Sequence, residues 1–138
     1  MTPEAKPAPL PDHDSQPFWD GCRAHQLRAQ RCTACGRFRW PPRTFCPACW
    51  SLDYEWTELL GRGTVYSFSV VHHVVSPAFK QEAPYVVALI TVDGSGDQVR
   101  LLSNVIDCDW EQVRVGMAVE VVFDETGLPK FRPAAPIQ

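Results

Sequence analysis

The sequence has no long apolar run. Its first seventeen residues, MTPEAKPAPLPDHDSQP, contain five prolines and no hydrophobic stretch, whereas a signal peptide needs an apolar segment of roughly 7–15 residues and a membrane-spanning helix needs roughly 20. We therefore expect a cytoplasmic protein without membrane association. In a reducing compartment, we expect its six cysteines to be metal ligands or buried thiols rather than a disulfide framework.

The sequence also lacks a recognisable catalytic motif. No serine, cysteine or carboxylate has the setting of a nucleophile or of an acid–base pair, and the glycines at 61–63 and 94–96 are typical of turns, not of a phosphate-binding loop. With 138 residues, the chain is short for an enzyme with its own substrate domain. We assign no catalytic residue and expect an accessory protein that is not an enzyme by itself.

Acidic side chains are absent from residues 21–52, although the whole chain carries a formal charge of −3. Arginine forks bind phosphate well, so Arg37, Arg39 and Arg43 in this segment are candidate contacts for coenzyme A or for single-stranded nucleic acid. The alternative interpretation is a solvated surface in which arginine stems cover the segment. The acidic balance of the remaining chain makes nucleic acid the less favoured partner.

Four cysteines have the spacing of a metal site. They form two CxxC pairs separated by ten residues, and in such pairs a tight turn aims both sulfurs at one ion while backbone amides donate to the thiolates. We predict a closed, structural Zn²⁺ site, which would not activate water. The dipeptides Cys-Gly and Cys-Pro also resemble rubredoxin knuckles, so iron is the alternative metal. The predicted ligands are Cys32, Cys35, Cys46 and Cys49.

Changes in composition and periodicity divide the chain into four segments. Asp14 or Ser15 can cap a short helix with Pro17 in its first turn. Phe18 and Trp19 lie on its apolar face, where we expect them to anchor packing; the alternative is a partner-docking surface. The predicted segments are a disordered tail at 1–13, the helix at 14–30, a zinc ribbon at 31–60 and an OB-fold at 61–135.

The last segment is predicted to be a five-stranded barrel. Period-two alternation begins after Gly61 and Gly63 and predicts the first strand. The further predicted elements are strands at 84–92 and 98–106, a helical turn at 107–113, and strands at 118–123 and 130–132. Five short strands with a helical turn between the third and fourth are typical of an OB-fold, which closes its sheet edges. The predicted fold class is mainly β.

The chain also resembles a known family. The segments that carry the likeness are PFWDGCRAHQLRAQRCTACGRFRWPPRTFCPAC, GRGTVYSFSVVHH, PYVVALITVD, RVGMAVEVVF and FRPA, within residues 15–135. They resemble OB-fold proteins with a rubredoxin-like zinc ribbon that accompany thiolase-like enzymes. The resemblance implies an N-terminal helix, a ribbon and a C-terminal OB barrel, and it matches the four CxxC cysteines to the family's zinc positions.

The resemblance also implies a function. It identifies the protein as a non-catalytic subunit in a hetero-oligomer with a thiolase-superfamily enzyme that acts on acyl-CoA, with acyl-CoA expected at the shared interface. A steroid side-chain-cleaving aldolase is the specific option that we rank first. Two other classes stay open: an independent OB module that binds coenzyme A or single strands, and a rubredoxin-like iron electron carrier.

Overall fold

Residues 5–134 are described by a computed structural model of the chain. Residues 1–4 of the predicted tail and residue 135 of the predicted OB-fold therefore lie outside the described residues. Within the described part, one helix comes first, a small three-stranded sheet follows, and a barrel completes the chain. None of the helices between residues 5 and 134 has the length and apolarity needed to span a bilayer.

Helix α1 spans Gln16–Arg23, so the prediction of a helix over 14–30 is wrong beyond Arg23. His25 has a positive φ of 59°, and the chain from Leu27 onward becomes a strand that pairs with a neighbour on each side. Pairing along the whole of one side, and at Gln30 and Arg31 on the other, satisfies backbone amides and carbonyls of this strand, while the side chains of Leu27 and Ala29 reach the core. Tertiary contacts thus override the local helical periodicity.

The small sheet forms the ribbon and has the strand order β2-β1-β3, with both pairings antiparallel. Strand β1 is long enough to pair along its whole length with β3, whereas β2 contributes only two residues. A sheet of this size buries little apolar surface by itself. Its strands are β1 (Leu27–Cys32), β2 (Phe38–Arg39) and β3 (Tyr54–Leu59).

The predicted OB-fold is confirmed as a closed five-stranded barrel with the order β4-β5-β6-β8-β7, in which β7 returns to pair with β4. A 3₁₀ turn at Trp110–Gln112 lies between β6 and β7, within the predicted helical turn. A second one, at Lys80–Glu82, precedes β5. The barrel strands are β4 (Arg62–Val71), β5 (Tyr85–Val92), β6 (Arg100–Val105), β7 (Ala118–Phe123) and β8 (Pro129–Pro133).

One apolar core joins the barrel to the helix and the ribbon. Ile90, Val119 and Phe131 fill the barrel interior and are completely buried, and the cluster continues through Leu27 to Phe18. The Phe18 ring packs edge-on against two tryptophan rings, with centroids 4.9 and 5.0 Å away. The expectation that Phe18 anchors packing is therefore confirmed, because its ring is buried among these side chains.

Candidate metal centre

The four predicted cysteine ligands lie together at the end of the ribbon. Their sulfur atoms are all within 4.8 Å of one another, and two sulfur pairs, Cys32 with Cys49 and Cys35 with Cys46, are 3.6 Å apart. A tetrahedral ion with metal–sulfur bonds of about 2.3 Å places its sulfurs about 3.8 Å apart. The four thiols therefore fit a single tetrahedral ion, and a set of soft sulfur donors is suited to zinc or iron.

The two CxxC turns have the same backbone construction. Cys32 and Cys46 each accept, at their carbonyls, a hydrogen bond of 2.9 Å from the amide four residues later, which belongs to Gly36 and Trp50. Both of these later residues have positive φ, 81° and 66°, and this conformation is easy for glycine but strained for tryptophan. The two turns therefore have nearly the same backbone conformation. The Trp50 side chain at the end of the second turn is 73% exposed.

Backbone amides point at the sulfurs and stabilise thiolates. The amide of Cys35, helped by that of Ala34, lowers the pKa of Cys32 to about 6 against the opposing effect of burial. Burial raises the pKa of Cys46, but the amides of Cys49 and Ala48 outweigh it, and the net shift is downward. Amides of this kind are the usual thiolate donors of a metal knuckle.

The neighbouring sulfurs oppose the ionisation of Cys49. The amide of Ser51 lowers the pKa of Cys49, yet burial and the sulfurs of Cys32, Cys35 and Cys46 raise it overall, to about 12. A metal ion removes this repulsion and releases the protons. Within residues 5–134, these cysteines form the one group of three or more potential ligand side chains close enough to share an ion.

Arg39 has a different place from the one that we expected. It is completely buried, and its guanidinium donates to the carbonyls of Ser51 and Asp53, each at 2.9 Å. The interpretation of Arg39 as a coenzyme A or nucleic-acid contact is therefore wrong, because the side chain runs under the second CxxC turn and cannot reach a phosphate in solvent. Arg37 is exposed and Arg43 is half-buried, and their contact with coenzyme A stays a prediction.

A buried glutamine on the neighbouring strand was missed by sequence reasoning. Gln30 lies opposite Arg39 in the β1–β2 pairing, is completely buried, and accepts a hydrogen bond of 2.8 Å from the Arg43 amide. Its position in a strand, rather than on the predicted helix, is what places it inside. Alternation in β1 would not have found it either, because Ala29 and Gln30 are consecutive and both buried.

The comparisons with known proteins agree with this architecture. A family model described as "ChsH2, rubredoxin-like zinc ribbon domain" matches residues 19–55, and one described as "ChsH2, C-terminal OB-fold domain" matches residues 56–124. The solved structure "Ltp2-ChsH2(DUF35) aldolase" is similar, with a TM-score of 0.82 and 36% identity over 93% of this chain and 100% of that chain.

Two curated relatives are also similar in sequence. The "3-oxo-4,17-pregnadiene-20-carboxyl-CoA hydratase alpha subunit" of Mycobacterium tuberculosis is 36% identical over 89% of this chain, which spans 38% of that protein. The "Benzoylsuccinyl-CoA thiolase subunit BbsA" of Thauera aromatica is 43% identical over 34% of this chain and 33% of its own length. With the ribbon and OB-fold models matched in sequence and the fold matched in structure, the chain belongs to the ChsH2 family of proteins that combine a rubredoxin-like zinc ribbon with a C-terminal OB-fold.

Proposed function

We propose that this protein is a non-catalytic, zinc-binding accessory subunit of a thiolase-superfamily enzyme that acts on acyl-CoA. The observation that carries the proposal is the closed donor set, in which all four sulfurs lie within 4.8 Å of one another. An ion held by four protein ligands has no open position for water or substrate. The metal then supplies folding free energy, on the order of 10 kcal/mol for a structural zinc, and the chemistry belongs to the partner.

The names of similar proteins support the class of partner. One relative is named as a subunit of an acyl-CoA thiolase, another as a subunit of a steroid-CoA hydratase, and the similar structure as an aldolase that contains a ChsH2 chain. A protein that combines these features would work in the cytoplasm beside a thiolase-like subunit. We rank a steroid acyl-CoA as the substrate and side-chain cleavage as the reaction of that subunit.

The contact surface is best placed where the helix meets the barrel edge. Strands β6 and β8 share only one register pair, and a groove of about 170 Å³ opens beside them. Trp19 and Lys130 line the groove with Leu102, whose side chain is 68% exposed. Tryptophan is enriched in protein interfaces, and the exposed Leu102 adds apolar surface beside Trp19 in the groove.

Co-expression with a thiolase-like protein from the same host tests this function. We expect a stable complex on size-exclusion chromatography, about one zinc per chain, and acyl-CoA turnover only when both proteins are present. The variant Leu102→Glu should weaken the complex at least tenfold, whereas Leu60→Glu, also highly exposed at 83% but outside the groove, should not. Absence of a complex with every thiolase-like protein of the host, or acyl-CoA turnover by this chain alone, would contradict the proposal.

A further inference from the structure

Arg39 is a buried cation without an anionic side chain. None of its guanidinium nitrogens is exposed enough to be solvated, since the residue is completely buried, and the two ion pairs found among residues 5–134 do not include it. Moving one charged group from water into the protein interior typically costs several kcal/mol, even after the surrounding structure has relaxed. A cation kept in this place must gain from a negative charge that the side-chain carboxylates do not supply.

The hydrogen bonds of Arg39 connect both metal-binding turns. Its acceptor carbonyl on Ser51 also accepts a hydrogen bond of 2.9 Å from the amide of Cys46, and its acceptor carbonyl on Asp53 accepts one of 3.3 Å from the amide of Thr33, next to Cys32. The first carbonyl belongs to the second turn, and the second carbonyl joins that region to the first turn. One guanidinium is thus connected, through two shared carbonyl acceptors, to the backbone of both CxxC turns.

Neutral groups leave part of the Arg39 charge uncompensated. The ring of Tyr54 lies 4.9 Å from the guanidinium carbon, a third carbonyl, on Thr44, accepts at a long 3.4 Å, and Nε has no acceptor among residues 5–134. Four thiolates around one divalent ion carry a net charge of −2. The cysteines lie on the loops whose backbone groups are connected to Arg39, so a metal tetrathiolate there would supply an anionic group in the same part of the ribbon.

We propose that Arg39 is a positioning residue of the metal centre: its guanidinium joins the two CxxC turns and serves as the buried counter-ion of the metal tetrathiolate. This inference rests on the metal-binding part of the proposed function and does not depend on the partner enzyme. It also explains why an arginine that cannot reach solvent occupies the short strand β2. Hydrogen bonds that orient ligands from outside the coordination sphere typically contribute 10–100-fold to metal affinity.

Zinc transfer from the purified chain to a chromogenic chelator tests the inference. We expect Arg39→Met to release zinc at least tenfold faster than the wild-type protein, and Arg37→Met, which removes an exposed arginine two residues away, to stay within twofold. Arg39→Lys keeps the charge but loses the fork, so its rate should lie between those of the wild type and Arg39→Met. Equal rates for Arg39→Met and Arg37→Met would overturn the proposal.

Cobalt substitution separates the counter-ion role from a merely structural one. Removing a nearby positive charge raises the energy of the thiolate electrons, so the sulfur-to-Co²⁺ charge-transfer band of Arg39→Met should move to longer wavelength, with partial restoration in Arg39→Lys. An unchanged band would contradict the counter-ion assignment. If Arg39→Met is insoluble, Arg39→Lys decides: release at least threefold faster than in Arg37→Lys supports the proposal, and equal release overturns it.

Metal binding by the wild-type protein shows whether a negative result contradicts the metal site itself or only the role of Arg39. A folded wild-type chain that binds neither zinc nor cobalt would contradict the metal-binding part of the proposed function itself. A fully loaded wild-type chain combined with unaffected Arg39 variants would contradict only the role of Arg39.

Discussion

In the strands of the barrel, the completely buried side chains are aliphatic or aromatic, such as Ile90, Val119 and Phe131, whereas in the strands of the ribbon they include Gln30 and Arg39. The barrel closes on itself with five strands, while the ribbon sheet has three strands, one of them only two residues long. Apolar burial can stabilise the barrel. The ribbon instead combines buried polar groups with four clustered thiols, an arrangement typical of a metal site.

The two regions are nevertheless packed together. Leu27, Ala29 and Leu59 from the ribbon strands belong to the same apolar cluster as the barrel residues, so the inner side of the ribbon sheet shares the barrel core. The two CxxC turns lie at its outer end, where Cys35 and Cys49 are exposed. The ribbon is therefore held in two ways: hydrophobic packing against the barrel at one end, and the four cysteines of the candidate metal site at the other.

Among the substitutions that separate the ribbon from the barrel, loss of one cysteine ligand should have the largest effect on stability. Cys46→Ser removes a completely buried sulfur and with it most of a metal contribution on the order of 10 kcal/mol. We expect zinc content to fall to near zero and amide hydrogen exchange of the ribbon to accelerate, while amides of β5 stay protected. Elemental analysis and hydrogen-exchange mass spectrometry measure both effects.

A matched control is Cys22→Ala, because Cys22 is equally buried but lies on α1 away from the sulfur cluster. Burial raises the pKa of this thiol to about 11, so it is a neutral, apolar group near pH 7, and its loss should leave zinc binding unchanged. Simultaneous loss of β5 protection in Cys46→Ser would show that the barrel also depends on the metal.

A cavity in the barrel should destabilise the protein without loss of zinc, and the loss of free energy of unfolding should be smaller than in Cys46→Ser. Phe131→Ala deletes a completely buried ring, and such truncations cost roughly 3–5 kcal/mol. We expect a lower midpoint of urea unfolding with zinc still bound in the folded protein. Arg132→Ala, which removes an exposed ion pair with Glu120, serves as the control with an effect of about 0–1 kcal/mol.

Loss of zinc in folded Phe131→Ala, under conditions in which the control keeps it, would show that the two regions are not energetically distinct.

The smallest expected effect concerns the turn between β7 and β8. Burial raises the pKa of Asp124, but hydrogen bonds from the Thr126 hydroxyl and from the amides of Leu128 and Thr126 outweigh it, so the net shift is downward. A carboxyl whose pKa is lowered by folding stabilises the protein above its unfolded pKa of about 3.9 and loses this effect as the pH falls through the folded value. Asp124→Ala should therefore lower the free energy of unfolding near pH 7 by at most about 1 kcal/mol, because solvent screens this partly exposed carboxylate.

Urea unfolding of the wild type and of Asp124→Ala at several pH values measures how the stabilisation by the Asp124 carboxylate depends on pH. The difference in unfolding free energy should shrink as the pH is lowered below about 4, and Glu125→Ala, an exposed neighbour, should show no such change. A difference that is constant between pH 7 and pH 3 would contradict the assignment to the Asp124 carboxylate.

Elements governed by local geometry were predicted well. The two CxxC turns depend on a few consecutive residues, so their clustering follows from spacing alone, and β7 was predicted with the bounds that it has, Ala118–Phe123. Residues 24–30 were assigned wrongly to the helix, because the spacing of apolar side chains cannot reveal that two neighbouring strands are available for pairing.

Arg39 shows the other limit of prediction. In the sequence it is one of six arginines in a segment without acids, and a phosphate contact was a reasonable interpretation for any of them. Only the folded chain shows that β2 directs this side chain beneath the second CxxC turn, where carbonyls accept its hydrogen bonds. Burial is a property of contacts distant in sequence, which composition does not contain.

The sequence by itself determined the four-thiol site, the mainly β architecture and the succession of the barrel strands along the chain, because short-range spacing and period-two alternation are local consequences of backbone geometry. Only the tertiary structure decided where the helix ends, that ribbon and barrel share one core, and which arginine is withdrawn from solvent. These features depend on which strands far apart in the chain form backbone hydrogen bonds with one another, and on which side chains fill the shared interior.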